Sequence, residues 1–200
     1  MPRWEPNAVG RLQDAAIELF ESRGLERTTV AEIARAAGLS ERTFFNHFAS
    51  KAEVLFGPRA ERHRHVVVAH IAAAGAGDPL EAVVSGLQAA ADELFEGLRA
   101  ASVRRRRIIE ASAALRERED AKRTELTTAI AIALRSRGLE ANAALMTARA
   151  GVLLEQAAEE RWSQPEESRP FRAVLQEALV SLRDVLATSA TPAGELDTRR

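Results

Sequence analysis

The sequence predicts an all-α fold of about nine helices, and three observations predict it. Apolar residues recur every three or four positions over most of the chain, the period of a helix with one buried face. Between these stretches stand helix starts and stops: Asn, Thr, Ser or Asp before the apolar run, Gly after it. Alanine is abundant, aromatics make up only 4% of residues, and few alternations of strand type interrupt the pattern. Small side chains let helices approach closely.

The first helix is expected over about 8–23, capped by Asn7 and closed by Gly24, with Val9, Leu12, Ala16, Leu19 and Phe20 on one stripe. It reads as a bracing core helix. Thr29, with Glu32 three residues later, forms the pattern of a capping box and starts a helix over 30–36. Ile33, Ala34 and Ala37 share its face, and Gly38 supplies the left-handed conformation that ends it in a sharp turn. Ser40 caps the next helix, 41–47, with Leu39 and Phe44 placed as a hydrophobic staple. Neither short helix is stable alone, so both must pack on a neighbour. Ser50 with Glu53 repeats the capping-box pattern and opens a fourth helix at Lys51, which meets Gly57-Pro58 after two turns. Proline inside a helix removes one hydrogen bond and clashes with the preceding turn. Either the helix kinks there or a new one begins at Pro58, and the pattern runs on to about residue 73.

The run 75–79, Gly-Ala-Gly-Asp-Pro, is a clear break. Asp78 as cap, Pro79 at the first helical position and Glu81 start helix five, whose stripe is Leu80, Val83, Val84, Leu87, Ala91, Leu94, Phe95 and Leu98. Helix six is expected over about 101–113, helix seven over 115–137 with Gly138 as its stop, and helix eight over 140–162. A loop at 165–170 precedes helix nine, 171–187, with Phe171, Val174, Leu175, Ala178, Leu179, Leu182 and Leu186 on one face. From residue 188 no apolar face remains, and the tail is expected to be disordered.

Composition excludes several classes. There is no cysteine, hence no disulfide and no thiolate metal site. No apolar run has membrane-spanning length and the first residues lack a signal-peptide core, so no membrane partner is expected and a cytoplasmic location is the default. The chain carries 28 Lys/Arg against 29 Asp/Glu, and residues 1–57 carry seven against eight. A positive field for nucleic acid must therefore come from the placement of a few groups.

A short helix, a tight turn at Gly38 and a second short capped helix have the layout of a helix-turn-helix. The run IAxxAGLSxxTFFxHFxSKxxVL, from Ile33, resembles the DNA-binding domain of TetR-family transcriptional regulators, most strongly over residues 8–57. Gly38, Ser40, Thr43, Phe44, Phe45, Phe48 and Lys51 fall in the family's register. A weaker likeness, in the Arg-Thr-Phe-Phe run and the arginine-rich sixth helix, points toward the mycofactocin-system regulators of that family. The resemblance implies a helix-turn-helix head over 1–50, a connecting helix over 51–74, a ligand-binding and dimerisation body over 75–187 and a tail over 188–200. It also implies a homodimer through helices 140–162 and 171–187, a palindromic double-stranded DNA operator and an apolar or acidic small-molecule effector. The function it implies is that of a ligand-responsive repressor. The alternatives are an activator of the same build, or a helical small-molecule-binding protein or enzyme whose helix-turn-helix likeness is incidental.

In the third helix Glu41, Arg42, Phe45, Asn46 and His47 are the side chains that do not suit a core. A helix in the major groove reads base edges near its N-terminus, with Arg preferring guanine and Asn adenine. By motif position the family implies DNA contacts from Thr43, Phe45, Asn46 and His47, with Lys51 on phosphate; Thr29, Ser40 and Arg42 complete the candidate DNA-facing set. Phe45 either touches sugar or a thymine methyl or is partly core. Gly57 and Pro58 are the candidate hinge through which the body moves the head.

His63, His65 and His70 invite a metal reading, but their spacing opposes it. The first two do not face each other on a helix, and His63 and His70 lie about 10 Å apart along one. The run Arg104–Arg107 covers about 300° of a helix and cannot form one basic face. One reading leaves all four on a solvated face beside glutamates; the other turns Arg104 or Arg105 inward to anchor an acidic ligand, with His70 as a further candidate. No nucleophile motif, phosphate-cradling glycine loop or metal-ligand spacing is present, so no catalytic residue, metal or cofactor is expected.

Overall fold

The computed structural model describes residues 7–94 and 97–190. Among them run nine α-helices and one 3-10 helix: α1 (Ala8–Arg23), α2 (Val30–Ala36), α3 (Glu41–His47), the 3-10 turn (Ala52–Leu55), α4 (Gly57–Ala73), α5 (Pro79–Leu94), α6 (Arg99–Glu110), α7 (Ala113–Ser136), α8 (Ala141–Trp162) and α9 (Phe171–Ala190). No described residue is in a strand. The all-α reading holds.

The caps form as their chemistry requires. Asn7 accepts from the Gly10 amide, Thr29 and Glu32 close a full capping box, and Ser40 accepts from the Thr43 amide at 3.1 Å. Asp78 accepts from the Leu80 amide at 2.8 Å, and Gly24 and Gly138 follow the ends of α1 and α7. The second expected box is only half present. Ser50 accepts from the Glu53 amide at 3.4 Å, but the Glu53 carboxylate turns to Arg118 on α7.

At the fourth helix the second of the two readings holds, a new helix beginning beside Pro58, while the helix expected to open at Lys51 does not form. The chain makes a 3-10 turn, Ala52–Leu55, and α4 starts afresh at Gly57 with Pro58 in its first turn. There proline loses nothing, because first-turn amides have no partner within the helix. Gly57 has φ of 30°, and a Cβ there would lie 2.6 Å from Phe48 Cε1. The restart therefore needs glycine on both counts.

Other limits move by a turn or less. α6 begins at Arg99 and ends at Glu110, earlier than expected at both ends, and α9 continues to Ala190, so residues 188–190 of the expected tail are helical. The rest of that tail lies outside the described residues, as does Phe95 of the helix-five stripe. Leu98 lies beyond α5 and is exposed, and Leu186 of the α9 stripe is exposed in the single chain.

Two apolar cores result. In the first, Leu12, Phe20, Ile33, Phe44, Phe48 and Val54 pack together with Ile108, Ile109 and Leu115 from α6 and the start of α7. In the second, α4, α5, α7, α8 and α9 pack through Val67, Val84, Leu87, Ile130, Leu134, Val152 and Leu175. The first turns of α4 bridge the two cores with polar residues, and the candidate pocket lies there.

Candidate DNA-reading helix and charged cavity

On α3 the 3.6-residue period separates inside from outside. Phe44 and Phe48 are buried with ring centroids 5.3 Å apart. Arg42, Phe45, Asn46 and His47 are exposed, and Thr43 is half-buried with its hydroxyl 2.9 Å from that of Ser40. Phe45 stands edge-on to Phe44 at 5.5 Å and remains 56% exposed, so its ring adds little to the core. Behind the turn, Gly38 takes φ of 67°, and the Arg11 guanidinium occupies the space a Cβ would need while donating to the Ala37 carbonyl. This joins α1 to the α2–α3 turn and sets the angle at which α3 is presented. Thr29 is exposed, with its hydroxyl 3.0 Å from Glu32. Lys51 stands before the 3-10 turn, not at the head of α4, and its ammonium donates to the Glu26 carbonyl at 3.5 Å.

The arginine run divides between its two readings. Arg104 turns to α1 and holds Glu21 through Nε at 2.9 Å and Nη2 at 2.5 Å; this hydrogen bond, above all, keeps the Glu21 carboxyl below its ordinary range. Arg106 pairs with Glu110 at 2.6 Å, and Arg107 is exposed. Arg106 also borders the interior cavity, and Arg105 reaches deepest toward the head. The Arg105 Nε donates to the Leu55 carbonyl at 2.8 Å and its guanidinium lies 5.0 Å from the Phe56 ring centre. His70 is exposed and apart from these arginines, so the grouping of Arg104, Arg105 and His70 does not form. His63 is the histidine that faces the interior.

Arg105 lines a cavity of two lobes, about 270 and 460 Å3, that share Arg59, Arg105, Glu119, Arg123, Gln156 and Glu159. The smaller lobe also meets Ile109, Trp162 and Phe171; the larger reaches Phe48, Leu55 and Phe56 of the head core. His63 Nε2 lies 2.8 Å from Glu155 Oε1, both side chains largely buried. Burial pushes the imidazole pKa down, but the charge and hydrogen bond of Glu155, with Glu159 beyond, outweigh it and the net shift is upward. Burial, then the neighbouring Glu155, raises Glu159 to about 7. Burial and the nearby Arg105 lower Arg59 to about 10, and its Nη2 donates to the Leu94 carbonyl at 2.6 Å.

The sequence reading missed most of this cavity. Glu119 and Arg123, whose charges alternate with their neighbours' along 116–125 as on an exposed helix, line the pocket. A signal existed. Arg59 and His63 on α4, Glu119 and Arg123 on α7, and Glu155 and Glu159 on α8 are each four residues apart, the spacing that puts both on one helix face. Among the described residues no group of three or more His, Asp or Glu side chains is placed to hold a metal ion.

A capped three-helix head with an outward-facing α3, on a helical body with an internal polar cavity, has the layout of a helix-turn-helix domain joined to a helical bundle. Residues 12–56 match the family described as bacterial regulatory proteins, tetR family. The transcriptional regulator TcmR of Streptomyces glaucescens is 37% identical over 82 residues, covering 41% of this chain and 36% of TcmR. A protein described as the mycofactocin biosynthesis regulator MftR of Mycobacterium tuberculosis is 46% identical over 46 residues, 23% of either chain. The chain thus aligns with little more than a third of one relative's length and less than a quarter of the other's. Two solved structures share the fold over nearly the whole chain. SmeT, in complex with triclosan, has a TM-score of 0.57 at 21% identity, covering 96% of this chain and 99% of its own. The fatty acid degradation regulator FadR of Bacillus halodurans has a TM-score of 0.54 at 17% identity, covering 90% and 96%.

Proposed function

We propose that this chain is a homodimeric, effector-responsive transcriptional repressor that binds a palindromic operator through α3. The observation that carries this reading is the outward face of α3. Arg42, Phe45, Asn46 and His47 are solvent-facing on a helix whose inner face is fixed by Phe44 and Phe48, inside the segment that matches the family. Arg and Asn are the side chains that read guanine and adenine edges bidentately. Two further observations support the rest. Met146 and Leu153 on α8 are 57% and 62% exposed, and Val180 on α9 is also exposed, an apolar strip that a second copy would cover. The cavity adjoins Leu55 and Phe56 beside the head, so a bound effector can bias the joint at Gly57-Pro58. An effector preferring the arrangement with the two α3 helices farther apart takes them off half-sites spaced by one turn of DNA, about 34–36 Å.

Gel-shift titration of the full chain against its own upstream DNA, over a range of salt, tests this. The expected result is binding to one two-fold symmetric site, with affinity falling linearly on a log–log plot against salt. Equal binding to that fragment and to random DNA at every salt concentration would overturn it.

A further inference from the structure

The two lobes of the cavity are rich in charge but close to balanced. The smaller is lined by five arginines and five carboxylates, the larger by five Lys or Arg, two histidines and six carboxylates. These groups already hold one another or the backbone. Arg105 reaches the Leu55 carbonyl and Glu119, Arg106 pairs with Glu110, and Arg59 donates to the Leu94 carbonyl. Arg123 lies 3.2 Å from Glu119 and 3.3 Å from Asp120, contacts that do not depend on Glu159. Two neutral groups of the smaller lobe are less committed. The Ser102 Oγ is buried and has no hydrogen-bond partner among the described residues, an arrangement that is costly and rare for a hydroxyl. The Gln156 amide, which borders both lobes, makes among those residues only a long contact, from Nε2 to Glu160 at 3.5 Å. Beside them Trp162 and Phe171 meet edge to face at 5.6 Å and form an apolar wall with Ile109.

We propose that the smaller lobe binds an uncharged aromatic molecule bearing an amide or hydroxyl, its ring against Ile109, Trp162 and Phe171 and its polar group hydrogen-bonded to Ser102 and Gln156. This rests on the reading of the chain as an effector-responsive regulator and names the chemistry of the effector. A group that both donates and accepts suits a hydroxyl and a primary amide, which each do the same. Rotation of Ser102 about its Cα–Cβ bond turns the hydroxyl toward a molecule in the lobe it lines. An anion would have to take an arginine from its carboxylate, and a cation a carboxylate from its arginine. Each exchange leaves a partly buried charge unpaired. A neutral ligand leaves the pairs intact. Ser102 stands on α6 one turn before Arg105 and its bond to the Leu55 carbonyl, so occupancy bears on the helix that grips the head.

The test is calorimetry on the full chain with cinnamamide, cinnamyl alcohol, cinnamate and protonated cinnamylamine, which share one skeleton. The amide and the alcohol are expected to bind about tenfold or more tightly than the acid and the ammonium, because each ion must break a pair to be neutralised. Ser102→Ala and Gln156→Leu should each weaken the amide by about threefold or more, the ratio expected of one neutral hydrogen bond. Arg107→Gln, exposed and outside the cavity, should leave it unchanged. Ser102→Ala removes a buried hydroxyl that no described residue bonds, so its denaturation midpoint should not fall. If Gln156→Leu loses its helical circular dichroism, Ser102→Ala and the wild-type preference decide. Equal or tighter binding of the acid or the ammonium, no binding of amide or alcohol at millimolar concentration, or wild-type affinity in both variants overturns the proposal. Gel shifts on the same preparation separate the two readings. Operator binding without amide or alcohol binding sinks only the ligand chemistry, and amide binding without any DNA binding sinks only the regulator.

Discussion

At the scale of single residues, each candidate DNA contact has a distinct expected signature. Asn46→Ala or Arg42→Ala should cost about 1–3 kcal/mol on the operator and relax preference at one base pair per half-site. Selection of bound sequences from a random pool checks this, and an unaltered consensus for both variants would reject the assignment. Lys51→Ala should weaken operator and random DNA alike and reduce the salt slope by about two per dimer. Glu159 makes a different prediction. It is faced by Arg59 and His63 from α4, Arg105 from α6, Glu119 and Arg123 from α7 and Glu155 on its own helix. Its folded pKa of about 7 lies above the ordinary 4.5, so between those values the folded chain holds a proton the unfolded chain has lost. Stability should then fall as pH rises from 4.5 through 7. The raised His63 acts in the same direction, its contribution vanishing as pH climbs through its folded value above 6.5. Glu159→Gln should flatten the decline by about 1–2 kcal/mol, the side chain being in part solvated. A thermal-melt series from pH 5 to about pH 8 with parallel curves for wild type and variant would contradict this.

At the scale of elements, α6 ties the head to the body. Its first residue, Arg99, donates to the Trp162 carbonyl at the end of α8, at 3.0 Å from Nη2. Its middle offers Arg104 to α1 and Arg105 to the cavity, and its last turn buries Ile108 and Ile109 in the head core. The joint between the 3-10 turn and α4 is the other critical element. Gly57→Ala would force a left-handed φ on a residue with a Cβ and drive that Cβ into the Phe48 ring. It should destabilise the chain by more than about 1 kcal/mol, read as a lower denaturation midpoint. Pro58→Ala removes only a first-turn proline and should shift that midpoint little. Its informative readout is the effector concentration needed to release DNA, and no change there would place the hinge elsewhere.

At the scale of the whole molecule, the prediction concerns assembly. Leu153→Asp puts a charge on a side chain that is open to solvent in the single chain. The monomer should fold as before, but the second copy would have to bury that charge. Folded monomers with lost operator affinity are expected by sedimentation and gel shift. A variant that sediments as wild type would reject α8 as the interface. Leu179→Asp is the contrasting case. Leu179 is fully buried within one chain, so that change should unfold the protein rather than dissociate it.

The sequence by itself determined the helices, their caps and the inside-outside division of α3. These depend on interactions within about four residues along the chain, and such spacing is legible in one dimension. Thr29–Glu32, Ser40 and Gly38 needed no partner from elsewhere to be read. Tertiary structure alone decided which polar faces turn inward. Glu119 and Arg123 look like any solvated i, i+4 pair until α4, α6 and α8 bring Arg59, His63, Arg105, Glu155 and Glu159 around them. Glu53 shows the same limit in miniature. Local pattern assigned it to a capping box, yet Arg118, 65 residues away, takes its carboxylate. The restart at Gly57 was half legible, because proline announced a break while Phe48, brought close only by folding, makes glycine the residue that fits there. Local hydrogen bonds write themselves into sequence spacing. Charge partners drawn from distant helices do not.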